Sequence, residues 1–272
     1  MAELPEIRKL SGQMNDELSG RIIKKIDLLQ EKCSNVPECD LNARVAGASV
    51  AKVYNRGKWI FTEFSNGENI LLSLGMGADA LYYGEGGRLP DKYQINLLLT
   101  DGGGYTVRFW WFGKYLLAAN SELDAEPNTK DIAIDAFDPL FTLEYFAKLL
   151  SGKKTGVKAF LMNQRNVGGI GNMYMHDILF KARLHPQRKI SDMTPDDVDN
   201  LYDSIKEIFK ISVDAGTFMY ENDFYGQKGS YGMDHFLVGY KEGKPCPVCG
   251  EPIVQLRVGG SPSFICPVCQ KI

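Results

Sequence analysis

The sequence predicts an α+β fold: an N-terminal antiparallel β sandwich with edge helices, then a C-terminal helical domain that ends in a four-cysteine zinc hairpin. Three observations predict it. Between residues 21 and 117, β-forming residues run in short segments broken by turn signals, the clearest being Asn66-Gly67. Between residues 142 and 213, apolar residues recur at helical spacing. Near the end stand Cys246-Pro-Val-Cys249 and Cys266-Pro-Val-Cys269.

Residues 5–19 read as a first helix, because Ile7, Leu10, Met14 and Leu18 share one face. Pro5 suits its first turn and Gly20 its exit. Ahead of it stand only Met1, Ala2, Glu3 and Leu4. Ala2 is small, so removal of Met1 is expected, leaving an α-amine next to Glu3. Residues 59–64 and 69–74 then form a hairpin around Asn66-Gly67. A second hairpin joins residues 93–99 and 105–111. Cys33 and Cys39 fit either unpaired structural thiols or a link to each other. A polar, mixed stretch over residues 121–139 reads as a linker between a domain of residues 1–120 and one of residues 140–240, with residues 241–272 forming the metal hairpin. Helices are expected over 142–151, 157–164, 173–183 and 195–213. Residues 214–241, rich in Gly, Tyr and Phe without period, predict a long loop of functional or mobile character.

With 272 residues, 44% of them hydrophobic and 24% charged, the chain can bury two cores. No apolar run approaches the ~20 residues that span a bilayer, so no membrane partner is expected. The opening MAELPEIRKL carries early acids and no long apolar core, which is unlike a signal peptide. Cytoplasmic location is the expectation, with nucleoid association in a bacterium. The net charge of -3 speaks against nucleic acid as a sum, although a basic groove can sit in an acidic shell.

Two motifs carry chemistry. Gly168, Gly169 and Gly171 separate two helices and lead into Asn172, which suits an N-cap. Met175, Ile178, Leu179 and Ala182 then line one helix face, and Pro186 stands past its end. Glycines let backbone approach a ligand, and the first N–H groups of a helix lack intrahelical partners. Phosphate fits such a site; so does a tight turn that merely packs two helices. The cysteines are spaced two, sixteen and two residues apart, as in a zinc site. Four thiolates close a tetrahedral Zn²⁺ shell, so Cys246, Cys249, Cys266 and Cys269 predict a structural metal. Arg257, Val258, Gly259 and Gly260 suit a hairpin with a tight tip between the knuckles. The alternative is four structural cysteines without metal.

Taken together, these features resemble the formamidopyrimidine-DNA glycosylase / endonuclease VIII family of base-excision repair enzymes. The resemblance covers almost the whole chain. Ala2-Glu3-Leu4-Pro5-Glu6 resembles the family's start, Arg56-Gly57-Lys58-Trp59 its lysine hairpin, and Leu74-Gly75-Met76 its intercalation loop. Asn172 with Gly169 resembles its helix–two-turn–helix, and the cysteines its zinc finger. The resemblance implies a monomer on double-stranded damaged DNA, a base flipped out of the stack, and a Schiff base to the N-terminal amine. Ala2 would supply that amine, whose ordinary pKa of about 7.7–8.0 leaves a nucleophilic fraction at neutral pH. Glu3 would act as general acid and base, with Glu6 supporting, and Lys58 would hold a phosphate. Met76 would fill the gap left by the base. Without the resemblance, Met76 reads equally as core, Glu3 as a surface carboxylate and Lys58 as a solvated lysine.

Three sites depart markedly from the family's pattern, and a fourth, Asp177, departs mildly. Ala2 stands where proline is usual; a primary amine also forms imines. Trp110-Trp111-Phe112-Gly113 replaces Arg-Arg-Phe-Gly, so Trp111 cannot make an arginine's hydrogen bonds, although it can stack beside Phe112. Both tryptophans could instead be strand core. Ser261 follows Gly259 and Gly260 where a phosphate-gripping arginine is usual. Asp177 replaces a common Glu. These departures keep a second expectation open: a damaged-DNA-binding protein of the same fold with impaired catalysis.

Overall fold

The computed structural model describes residues 2–272, and the fate of Met1 lies outside them. The chain divides into two compact units. Unit 1 holds Met1–Asp131 with Thr217–Gly229, and unit 2 holds Ile132–Gly216 with Ser230–Ile272.

Unit 1 opens with α1 (Leu4–Leu18), whose Ile7, Leu10, Met14 and Leu18 are all buried, as the helical period requires. Strand β1 (Ile23–Leu28) follows, then α2 (Glu38–Val45) and β2 (Val50–Arg56), β3 (Trp59–Phe64), β4 (Glu68–Ser73), β5 (Asp79–Tyr83), β6 (Ile95–Leu99), β7 (Gly104–Arg108) and β8 (Lys114–Ala119). They form two antiparallel four-stranded sheets, ordered β1-β6-β7-β5 and β2-β3-β4-β8. Apolar residues of both sheets and of α1 share one core, which includes Ile26, Leu97, Ile60, Leu72 and Phe224. Inside it the hydroxyls of Tyr105 and Tyr115 meet at 3.0 Å, satisfying two buried polar groups and tying β7 to β8. Cys33 is buried, Cys39 exposed, and both are free thiols.

Helix α2 is one of the edge helices that the fold class includes, in a stretch where the sequence shows no helical period. It is one short amphipathic stretch burying only Leu41 and Val45, too brief for a period to show. The second hairpin is shorter than expected: β7 ends at Arg108, and Trp110 and Trp111 lie outside it. Thr217–Gly229, expected to belong with a long loop of the helical half, packs on unit 1 instead. Phe224 is its anchor, fully buried in the sandwich core. Its N–H donates to Gln13 Oε1 at 2.9 Å, and Asp223 pairs with Lys9 Nζ at 2.9 Å.

Unit 2 contains α3 (Leu143–Leu150), α4 (Val157–Met162), α5 (Asn172–Lys181), α6 (Pro195–Asp214), and the hairpin β9 (Val254–Val258) and β10 (Ser261–Ile265). Helix α5 is the centre of this unit: every residue from Met173 to Phe180 is buried. Tyr174 joins it to α6 through a 2.6 Å contact with Ser212 Oγ. The metal hairpin packs on it through Phe180, Phe264 and Val238. Among the described residues no helix is long and apolar enough to cross a membrane.

Candidate functional site

On unit 1 the residues ahead of the first helix, Ala2 and Glu3, are packed in rather than trailing. Ala2 is 5% exposed and belongs to the sandwich core, and Glu3 is 3% exposed. Glu6 Oε2 accepts the Glu3 N–H at 2.9 Å, so the first turn of α1 is locked by its own third residue. The second oxygen, Oε1, accepts the Phe218 N–H at 3.3 Å. One carboxylate thus ties the start of the chain to the Thr217–Gly229 segment. Glu3 is therefore not an ordinary surface acid.

Lys58 sits half-buried in the two-residue turn between β2 and β3, where Arg56 pairs with Trp59. Helix α1 packs across these two strands. Asn15 Oδ1 accepts the Val53 N–H at 3.0 Å, which fixes the helix to β2.

Met76, Trp111 and Phe112 are brought together at another edge of unit 1. Met76 N–H donates to Trp111 O at 2.9 Å, and Trp111 N–H donates to Met76 O at 3.3 Å. The alternative of strand core fails for the tryptophans: Trp110 is 64% exposed and Trp111 62%. The loops meet this closely because residue 75 is glycine. A Cβ there would lie 2.1 Å from Trp111 O and 2.7 Å from Gly113 N, and Gly75 has φ +62°.

On unit 2 the glycine-rich turn is organised by Gln164, whose role no motif disclosed. Its Oε1 accepts the Gly169 N–H at 2.8 Å and its Nε2 donates to Ile170 O at 2.9 Å. Asn172 is not the N-cap. It is the first residue of α5, and Gly171 occupies the cap position. Its side chain turns to other partners: Oδ1 accepts from Ser261 Oγ at 3.2 Å, and the amide lies 3.4 Å from His176 Nε2.

Beneath these groups lies Lys158, 2% exposed and also unforeseen. Its Nζ donates to Ser263 Oγ at 2.7 Å, to Ser261 Oγ and Pro262 O at 2.9 Å, and approaches Ser261 O at 3.4 Å. Burial pushes its pKa down to about 8. His176 Nδ1 accepts the Phe264 N–H at 3.4 Å, and burial, with Lys158 adding, holds its pKa down at about 3, so the ring is neutral. Asp177 is fully buried, and burial raises its pKa. It accepts the N–H groups of Leu237, Val238 and Gly239 at 2.9–3.0 Å, pinning the strand-free segment before the cysteines.

The metal site is well formed. The Sγ atoms of Cys246, Cys249, Cys266 and Cys269 all lie within 4.8 Å of one another, as a single tetrahedral ion requires. The cysteines hold a structural zinc. Between the knuckles Val258 pairs with Ser261, so Gly259-Gly260 is a two-residue loop. Both glycines have positive φ, 60° and 80°, as a type I′ turn demands.

Family models agree with this layout. The formamidopyrimidine-DNA glycosylase N-terminal domain matches residues 1–110 and the corresponding H2TH domain residues 132–222. The zinc finger found in FPG and IleRS matches residues 243–272. Formamidopyrimidine-DNA glycosylase of Pelotomaculum thermopropionicum is 30% identical over 279 residues, covering 100% of both chains. That of Roseiflexus sp. is 32% identical over 281 residues, again covering 100% of both. Among solved structures, Lactococcus lactis Fpg in complex with abasic-site DNA superposes with a TM-score of 0.88 at 22% identity over 100% of both chains. MutM (Fpg) of Thermus thermophilus superposes with a TM-score of 0.86 at 23% identity over 98% of both. Full-length identity at this level, with all three domain models in register, means that the chain belongs to the formamidopyrimidine-DNA glycosylase family.

Proposed function

We propose that this chain is a base-excision-repair DNA glycosylase with AP lyase activity, which removes oxidised or ring-opened bases from duplex DNA through a Schiff base to the Ala2 amine. The burial of Ala2 and Glu3 ahead of α1 carries the reading at the level of the site. A nucleophile has to be positioned, and a fixed N-terminus does that where a solvent tail does not. Once Met1 is removed, the α-amine of Ala2 attacks the sugar C1′, and the base departs with a proton. The C1′–O4′ bond of the sugar then opens, O4′ gaining a proton as the nitrogen gives one up, and the resulting imine allows the C2′ proton to leave and the 3′ phosphate to be eliminated. Glu3 carries the protons, and Glu6 holds it in place. Lys58 holds a backbone phosphate beside the reacting sugar.

The remaining residues hold the DNA. Met76, Trp111 and Phe112 occupy the space that the extruded base leaves, as apolar side chains do when they enter a base stack. Gly169, Asn172 and Ser261 grip the sugar-phosphate backbone at the start of α5, and zinc keeps the Ser261 turn in shape. One copy of the chain suffices, and in a bacterium it works at the nucleoid.

Borohydride trapping tests the reading. A preparation shown by mass to begin at Ala2 is mixed with duplexes carrying an abasic site or an oxidised purine. A covalent adduct is expected with both. Damage-dependent retention without adduct refutes the catalytic reading and leaves a damaged-DNA-binding protein.

A further inference from the structure

Four apolar side chains stand in water at one edge of unit 1. Met76 is 40% exposed, Trp110 64%, Trp111 62% and Phe112 76%. A contiguous exposed apolar patch marks an interaction surface. The backbone under it is fixed, because Met76 and Trp111 exchange both of their N–H···O bonds. Residues so paired put their side chains on the same face. A cation beside the patch is already engaged: Arg108 bonds Asp79 at 2.8 Å and lies 5.7 Å from the centre of the Trp110 ring. In hydrogen-bonding terms the platform therefore offers two indole N–H donors and no strong acceptor. Bases differ in the donors and acceptors along their edges. All of them share a π face, and stacking on aromatic side chains tolerates any base.

Extruding a damaged base leaves its partner unpaired, with a hole beside it. We infer that the platform of Met76, Trp111 and Phe112 holds that unpaired partner by stacking alone, so the enzyme excises a lesion whatever base stands opposite it. The inference rests on the glycosylase reading. It extends the substrate class to lesions in mispairs, where a site that read the opposing edge would stall. Trp111 is the specificity-determining residue, through the contacts that its ring cannot make.

The test uses the full zinc-loaded chain beginning at Ala2. A ring-opened purine is placed opposite A, C, G and T in turn, and single-turnover excision is measured. The four rates are expected to fall within about threefold of one another. Trp111→Arg, which adds a fork of donors, is expected to spread them at least about tenfold. Trp111 is exposed, so neither this variant nor Trp111→Ala disturbs the core. A wild-type spread above about tenfold that persists in Trp111→Ala overturns the inference. If no duplex is processed and no borohydride adduct forms, the glycosylase reading has failed. Indole emission then decides the inference, using duplexes with a stable abasic analogue. Equal quenching opposite all four bases supports it, and quenching that depends on the opposite base overturns it.

Discussion

Lys158→Met should loosen the metal hairpin. The ammonium holds three oxygens at 2.7–2.9 Å and a fourth at 3.4 Å, all on residues 261–263. These partners are hydroxyls and carbonyls, with no carboxylate among them. Hydrogen bonds from a charged donor contribute about 1.5–3 kcal/mol each, so the three short ones amount to about 4.5–9 kcal/mol. Against this stands the cost of burying the charge. A fall from the ordinary 10.5 to about 8 corresponds to about 3 kcal/mol. The difference is about 1–6 kcal/mol, and about 3 is the central expectation. Methionine fills the same volume without a donor, leaving the Pro262 carbonyl and two serine hydroxyls to find other partners. Melting followed by calorimetry should move down by about 6–12 °C, at about 2–4 °C per kcal/mol. Chelator-driven zinc loss should quicken in parallel. A melting temperature within about 1 °C of wild type, with unchanged zinc release, would refute the reasoning. The pH dependence adds a second check. The folded pKa lies below the unfolded one, so the folded state gives up this proton first. The stability contributed by Lys158 therefore rises between about pH 8 and 10.5, while affinity for a DNA phosphate falls across the same window.

Three further outcomes are expected. Gly75→Ala should cost at least about 2 kcal/mol, because its Cβ would lie 2.1 Å from Trp111 O at a positive φ; calorimetry measures the loss, and abasic-duplex binding should fall about tenfold as Met76 and Trp111 part. Removing zinc should expose four more reactive thiols than the loaded protein shows and abolish retention of duplex DNA, since structural zinc contributes on the order of 10 kcal/mol to such hairpins; thiol titration and gel retardation report both. Glu3→Gln should slow base excision at least about 100-fold while Ala2→Pro, which restores a secondary amine, should increase the borohydride-trapped yield.

Much of the fold was legible because it rests on local periods. The face of α1 and the β3–β4 hairpin around Asn66-Gly67 stand where the pattern puts them. The metal site was legible for another reason: thiolate spacing encodes geometry directly. What stayed hidden depends on partners distant in sequence. Phe224 has no local period, and its place in the sandwich core follows from the shape of a pocket that α1 and both sheets build together. Asn172 is a good capping residue by type. It leaves the cap to Gly171 because its side chain has Ser261, 89 positions away, to meet. Lys158 carries no motif at all. Only the folded hairpin shows that its acceptors lie on residues 261–263.

The departures from the family's pattern also differ in kind in the folded molecule. Trp111 is a change at the surface, open to water, so it leaves the folded core as it is. Ser261 replaces a cation at the hairpin tip, yet a buried ammonium stands 2.9 Å from its hydroxyl. A phosphate approaching that serine would meet a hydroxyl polarised by a positive charge with no carboxylate to cancel it, in a medium where charge is weakly screened. Under the proposed role of Ser261, a net charge of -3 is a poor guide to phosphate binding. The sum counts the exposed acids of α6 and of the 121–139 stretch equally with one lysine, whereas a phosphate responds to the charge nearest to it. Lys158→Met should therefore flatten the salt slope of DNA binding by about one unit, as removing a phosphate-facing cation does. If Lys158 only braced the hairpin, affinity would fall at every salt concentration and the slope would stay.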